Sequence, residues 1–203
     1  FRMSIIARRS RYFAGTRYLK RGVNSQGRVA NDVETEQIAE DCNWGSLQTH
    51  EHFTAFVQIR GSIPLFWGQE PRTLTPKPPI FIQRCDPLYA ATKLHFRDLF
   101  RRFGYPIVVL NLVKKKEKKP RESLLRTELS IAINEINDPL PEHYKIRYIS
   151  WDFSRAAKSE SGNVITQMTA IAEEALSDTN FFHSGKRLFG NQVIKDHLFH
   201  GFC

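Results

Sequence analysis

Basic residues crowd one short stretch near the start of the sequence. The stretch is otherwise apolar or aromatic, and its cationic members include Arg8, Arg9, Arg17, Lys20 and Arg21. A guanidinium donates paired, charge-assisted hydrogen bonds that match the oxygens of a phosphate group. The stretch therefore predicts a binding site for a phosphorylated anion. The alternative is a basic strand edge balanced by acidic neighbours such as Glu34 and Glu36.

A further arginine, Arg60, stands immediately before a flexible turn. The sequence R-G-S-I-P-L-F-W occupies residues 60–67. An arginine followed by a glycine and a serine hydroxyl can form an anion-binding corner. A rigid structural turn that buries Phe66 and Trp67 is an equally simple interpretation, so the segment alone does not decide between the two.

The cysteines and histidines offer less chemistry. Cys42, Cys85 and Cys203 lie far apart, without a C-x-x-C pair, which excludes a disulfide framework and suits a reducing cytosolic environment. His50, Glu51 and His52 could hold a metal ion, but no third ligand follows at a suitable spacing, and a surface loop is the simpler interpretation.

Composition describes a folded, strongly basic chain of 203 residues. Hydrophobic residues make up 41% and aromatic residues 12%, enough for a substantial core, and the formal net charge is +9. That charge favours anionic partners: nucleic acid, anionic lipid or phosphorylated small molecules. No helix-turn-helix, zinc-finger or base-stacking pattern supports nucleic acid. No apolar run approaches the ~18 residues of a membrane span.

The elements that must position these residues change along the chain. The first half predicts β structure, with stretches at 3–9 and 11–20, a turn at 24–27 and a strand at 52–59. Four prolines make 71–79 an irregular connection.

The second half predicts alternating helices and strands. Asp86 and Pro87 suggest a helix start, and Gly104 a stop. Strands are expected at 107–113 and 146–151, and helices over 125–136 and 164–176. A helical stripe of apolar residues predicts the buried face of the middle helix: Leu125, Leu129, Ala132, Ile133 and Ile136. This alternation predicts an α/β fold with helices on a parallel sheet.

Two long motifs resemble those of the Sac-domain phosphoinositide phosphatases. The first runs R-R-S-R, A-G-T-R-Y, R-G, A-N and E-T-E-Q-I over residues 8–38, and the second is V-Q-I-R-G-S-I-P-L-F-W over 57–67. N-L-V at 111–113 and Y-I-S-W-D at 148–152 also fit. The resemblance covers residues 3–182, and 184–203 diverge. Residues 76–79 and 112–119 resemble most the branch acting on phosphatidylinositol 3,5-bisphosphate.

The resemblance implies a hydrolase of lipid metabolism that removes an inositol-ring phosphate. Family members use a C-x-x-x-x-x-R-T loop whose thiolate forms a phosphocysteine, and this chemistry requires no metal or other cofactor. The motif is absent from these 203 residues, and Cys203 has no Arg-Thr after it. The chain is therefore expected to be an incomplete Sac domain, inactive alone and without catalytic residues. The alternative is a non-catalytic scaffold that binds a phosphoinositide or a protein.

The resemblance also suggests roles for the basic residues. Arg17, Lys20, Arg21 and Arg60 are expected to bind the lipid headgroup as a cationic surface. The expected partners are a phosphoinositide and an anionic membrane surface, with possible protein scaffold partners and no nucleic acid. The expected location is the cytoplasm, peripheral to endosomal or other endomembranes. The lysine-rich run at 114–119 is either a membrane contact or a plain solvated loop.

Overall fold

A computed structural model describes residues 1–16, 19–41, 52–70, 78–117, 121–158 and 163–184. Eight strands lie within these ranges: β1 Arg2–Arg9, β2 Val33–Asp41, β3 His52–Arg60, β4 Trp67–Gln69, β5 Ile80–Ile82, β6 Val108–Asn111, β7 Arg147–Ser150 and β8 Phe182–His183. Four α-helices accompany them: α1 Ala90–Phe103, α2 Glu122–Asn137, α3 Phe153–Ala156 and α4 Val164–Thr179, with a 3₁₀ turn at Glu142–Tyr144.

The predicted α/β fold class is confirmed. An antiparallel sheet in the order β1-β2-β3-β8 forms most of the first half, and β4 pairs with β5. In the second half β6 and β7 pair in parallel, with α2 in the connection between them. A crossover containing a helix is the usual link between parallel neighbours.

One hydrophobic core joins the two halves. The five residues of the predicted helical stripe are all buried in α2, with Leu125 and Ile133 each 1% exposed. They pack in one cluster with Leu65 and Trp67 of the first half, and with Phe96 of α1. The segment that contains Leu65 and Trp67 is thus fixed to the same core as the helices.

Two local expectations differ from the structure. Helix α1 begins at Ala90 rather than at Pro87, because Tyr89 adopts a left-handed conformation with φ 49°. Asp86 still serves the helix start, since its carboxylate accepts a hydrogen bond from the Ala91 amide at 3.1 Å. Residues 11–16 form turns rather than a strand. The predicted turn at 24–27 and the stop at Gly104 are both present.

Helix α1 carries a histidine against the turn of the first half. His95 Nδ1 lies 3.2 Å from the Gly27 carbonyl oxygen, so the ring has a hydrogen-bond partner within the protein. Removal from water lowers the pKa of His95 from 6.5 to about 4. The hydrogen bond to Gly27 and the charge of Asp98 oppose this change, and Arg102 and Arg28 add to it.

The core assignment predicts different results for two adjacent leucines. Leu125 is buried, whereas Leu124 is 39% exposed on the same helix. Leu125→Ala should lower the free energy of unfolding by about 2–5 kcal/mol, because it leaves a cavity. Leu124→Ala should cost less than about 1 kcal/mol. Urea unfolding followed by circular dichroism measures both, and equal losses would contradict the buried face assigned to α2.

His95 predicts a loss of stability at acid pH. The folded-state pKa lies below the unfolded value, so the unfolded chain binds the proton more tightly between pH 6.5 and about 4. Stability should therefore fall as pH decreases through this window, by up to about 3 kcal/mol from this group. His95→Gln cannot gain the proton and should flatten that part of the stability curve. An unchanged slope in the variant would refute the assignment.

Candidate anion-binding pocket

The two arginine-containing segments line a single pocket that is open to solvent and has a volume of about 1170 Å³. They come from the end of β1 and the loop after it, from the turn before β2, and from the end of β3. The lining residues are Arg9, Ser10, Arg11, Ala14, Gly15, Thr16, Arg21, Ala30, Asn31, Arg60, Gly61 and Ser62.

Strand register brings the first two arginines together. Arg9 pairs with Val33 across β1 and β2, and Val33 pairs with Arg60 across β2 and β3. Residues directly opposite each other in antiparallel strands share a face of the sheet. Arg9 and Arg60 therefore lie in one row, on one face, at the end of the sheet.

The neighbouring arginine points the other way. Arg8 lies on the opposite face of β1, where its guanidinium pairs with Glu34 at 3.4 Å and Glu36 at 2.8 Å. Arg102 of α1 also contacts Glu34, at 3.4 Å. The alternative of a strand edge balanced by acidic neighbours is thus correct for Arg8, while Arg9 faces the pocket.

Arg9 also holds the loop that follows β1. Its Nη2 donates to Asn31 Oδ1 at 2.5 Å and to the Gly15 carbonyl at 3.2 Å. The Ser10 amide donates to the Asp32 carbonyl at 2.9 Å. These bonds close residues 10–15 back onto the start of β2 and form one wall of the pocket.

A tight corner forms the opposite wall. The Gly22 amide donates to Ser62 Oγ at 2.8 Å, and the Ser62 amide donates to the Ala30 carbonyl at 3.0 Å. Gly22 has φ +70°, and a Cβ there would lie 2.3 Å from the Leu65 carbonyl oxygen. Only glycine fits this position. The corner joins the two motifs across forty residues of sequence.

Residues 60–67 form a rigid structural turn and also contribute to the pocket. Trp67 is 5% exposed and its indole nitrogen donates to the Ile63 carbonyl at 3.1 Å, while Phe66 packs against a second small cluster. The segment therefore places its aromatic end in the core and its first three residues, 60–62, at the pocket. One rigid turn therefore fixes residues 60–62 relative to the core.

Arg21 is held in place from outside the pocket. Its Nε donates to Gln69 Oε1 at 3.0 Å, and its guanidinium lies 5.3 Å from the centre of the Trp67 ring. Such stacking and hydrogen bonding restrict the side chain, so Arg21 would lose less conformational entropy when it binds a ligand.

The pocket has a positive electrostatic character. Its described lining contains four arginines and neither aspartate nor glutamate. No described carboxylate forms an ion pair with Arg60 or Arg11. Asp32 follows the lining residue Asn31 in sequence, and burial raises the pKa of its carboxyl group. The arrangement can attract and hold an anion through several guanidinium groups.

The four residues predicted to bind substrate have different positions. Arg21 and Arg60 meet in the pocket, and Arg17 lies outside the described residues. Lys20 is not a lining residue. Its ammonium lies 5.1 Å from the centre of the Phe13 ring, and its methylene groups cover Gly15.

The sequence analysis did not assign several of the residues that do line the pocket. Arg9, Arg11, Asn31 and Ser62 all belong to the two quoted motifs, so the motifs held the signal. Charge counting alone missed the amide group of Asn31, whereas the Ser62 hydroxyl was part of the possible anion-binding corner. It also could not separate Arg9 from Arg8 without the strand register.

Other sequence candidates lie elsewhere. In the lysine-rich run, the Lys115 amide donates to Asp152 at 2.7 Å, a bond that is the main cause of the lowered pKa of Asp152. Residues 118–119 and His50–Glu51 lie outside the described residues. Within the described part of the chain, no cluster of three potential metal ligands is found. No helix there is long and apolar enough to cross a bilayer.

Comparison with known proteins agrees with the pocket-forming motifs. Residues 1–158 match the family model described as the SacI homology domain. The chain is 53% identical over 186 residues to phosphatidylinositol-3-phosphatase SAC1 of Arabidopsis thaliana, covering 92% of this chain and 20% of that protein. It is 47% identical over 193 residues to the polyphosphoinositide phosphatase of Schizosaccharomyces pombe, covering 92% of this chain and 23% of that protein.

The match extends to a more distant relative. Phosphatidylinositol-3-phosphatase SAC1 of Drosophila melanogaster is 35% identical over 189 residues, covering 92% of this chain and 29% of that protein. The chain thus spans between a fifth and a third of the length of these curated relatives. Because the family model matches more than three quarters of the sequence, the chain belongs to the SacI homology domain family.

Proposed function

We propose that this chain forms the headgroup-binding part of a phosphoinositide phosphatase, an enzyme that hydrolyses a phosphate monoester on an inositol ring. The observation that carries the proposal is the meeting of both family motifs in one arginine-lined pocket. The relatives are named phosphoinositide phosphatases, which supports the same substrate class.

The positions of the arginines favour a ligand with more than one phosphate. Arg9 and Arg60 come from one row of the sheet, Arg11 from the loop after β1, and Arg21 from the corner before Gly22. Guanidinium groups on different walls can each meet a separate phosphate. The volume of about 1170 Å³ exceeds the ~300–1,000 Å³ typical of small-ligand sites, so a phosphorylated inositol ring fits.

The proposed role is binding and orientation rather than covalent catalysis. These 203 residues contain no C-x-x-x-x-x-R-T, the loop that would supply the thiolate and the phosphate-cradling arginine. The pocket would instead neutralise the headgroup and fix the ring for attack by such a loop. A peripheral position on the cytoplasmic face of endosomal or other endomembranes follows from a lipid substrate and is part of the proposal.

Arg60 gives the sharpest test, because no described side chain depends on its charge. Arg60→Gln should weaken binding of inositol 1,3,5-trisphosphate, the free headgroup of phosphatidylinositol 3,5-bisphosphate, by roughly ten- to a hundredfold, the worth of one charge-assisted hydrogen bond. Isothermal titration calorimetry on the 203-residue chain measures this. Added salt should weaken the wild-type affinity as well.

Arg101→Gln is the matched control for that experiment. Arg101 is exposed near the end of α1 and does not line the pocket. Its substitution by glutamine removes the same charge as Arg60→Gln. The Arg101→Gln variant should bind the headgroup with an affinity within about twofold of wild type, since an exposed charge outside the pocket is screened by salt. Equal losses in Arg60→Gln and Arg101→Gln would reduce the effect to net charge and would remove the pocket from the proposal.

A second prediction separates binding from hydrolysis. The chain should release no phosphate from phosphatidylinositol 3,5-bisphosphate above background, although it binds the headgroup, because no nucleophile loop is present. A phosphate-release assay measures turnover. Significant release that survives replacement of Cys42, Cys85 and Cys203 by serine would require a different mechanism and would overturn this division of roles.

A further inference from the structure

A short turn beside the pocket presents an exposed leucine. Leu19 is 69% exposed, and it stands in the sequence between two lining residues, Thr16 and Arg21. The amides of Leu19 and Lys20 both donate to the Thr16 carbonyl, at 3.2 and 3.1 Å. These hydrogen bonds tie the backbone of Leu19 and Lys20 to Thr16. The described members of this rim turn are Thr16, Leu19 and Lys20.

The rim turn is fixed to the wall of the pocket. The methylene groups of Lys20 lie against Gly15, where a Cβ would come within 2.2 Å of Lys20 Cγ. The Lys20 carbonyl accepts a hydrogen bond from Asn31 Nδ2 at 3.4 Å. Gly15 and Asn31 both line the pocket, so a ligand in the pocket and a surface touching Leu19 would meet one connected unit.

The surroundings of Leu19 are cationic. Lys20 follows it directly, with its ammonium over the Phe13 ring, and Arg11 and Arg21 line the pocket beside it. An exposed apolar side chain beside cations matches an anionic membrane surface. There the basic groups meet lipid phosphates, and the apolar side chain enters the acyl boundary.

We infer that the rim turn is a membrane contact, in which Leu19 enters the bilayer interface while the arginine pocket holds a phosphoinositide headgroup. The inference rests on the proposed function and adds its physical setting. A headgroup bound in the pocket stays attached to its acyl chains, so the bilayer surface must come close to the pocket rim. The occupant of this surface is thus an anionic lipid bilayer, selected by charge complementarity.

The test compares a lipid-embedded headgroup with a free one. Binding of the 203-residue chain is measured to phosphatidylcholine vesicles that contain a few mole per cent phosphatidylinositol 3,5-bisphosphate, and separately to free inositol 1,3,5-trisphosphate. Leu19→Ser should weaken vesicle binding roughly five- to tenfold, the factor expected for partial burial of one leucine. Its affinity for the free headgroup should stay within about twofold of wild type, because the pocket arginines are intact.

Leu88→Ser is the matched control. Leu88 is 67% exposed in the turn before α1 and does not line the pocket. This variant should bind vesicles and free headgroup as the wild type does. An equal loss of vesicle binding in both variants would indicate general surface hydrophobicity and would overturn the inference.

The remaining outcomes also decide the question. If Leu19→Ser binds vesicles as tightly as the wild type, the membrane contact is overturned, even when the free headgroup binds. Leu19 would then be a candidate contact for a protein partner. A parallel loss of free-headgroup binding shows that Leu19 only supports the fold of the pocket, which also overturns it. A wild-type chain that binds neither the free headgroup nor the vesicles contradicts the proposed function itself.

Discussion

The pocket depends above all on the register of the three long antiparallel strands. Arg9, Val33 and Arg60 occupy one row across β1, β2 and β3, and the side-chain period of a strand is two. A slip of one residue in β1 that moved Arg8 opposite Val33 would place Ala7 opposite Glu34. The pocket would then receive the arginine that now pairs with Glu34 and Glu36, and the acidic face would lose its partner. Those ion pairs are exposed and individually weak, so they serve register more than stability.

The second constraint is the corner where the pocket meets the core. Gly22 lies against the backbone of Leu65 and Trp67, and these two residues pack with α2. The same corner holds Ser62 and Arg21 at the pocket. Side chains that face solvent are therefore positioned by burial on the other side of one turn. This coupling explains how a pocket open to water can hold Arg21 and Ser62 in a defined arrangement.

Sequence patterns predicted the helical half well, because its signals are local. The stripe on α2 was complete, and the parallel strands followed from short apolar runs between helices. The predicted start of α1 was wrong because the capping residues do not indicate the left-handed conformation of Tyr89. In the pocket, Arg21 and Arg60 were predicted from their charge. Arg9 was placed in the basic stretch without being separated from Arg8, and Asn31 was not assigned, since their roles depend on strand pairing and on a loop closed by non-local hydrogen bonds.

Helix α4 has a different relation to the rest of the molecule. None of its residues is buried, and Arg147 of β7 holds it through Glu174 and Asp178, with one further hydrogen bond from Trp151 to Gln167. Its apolar residues are at most half-buried, whereas α2 buries five apolar residues. We therefore expect α4 to be less stable than α2. Local opening of α4 requires far less free energy than global unfolding, so its amides would exchange hydrogen with solvent while those of α2 stay protected.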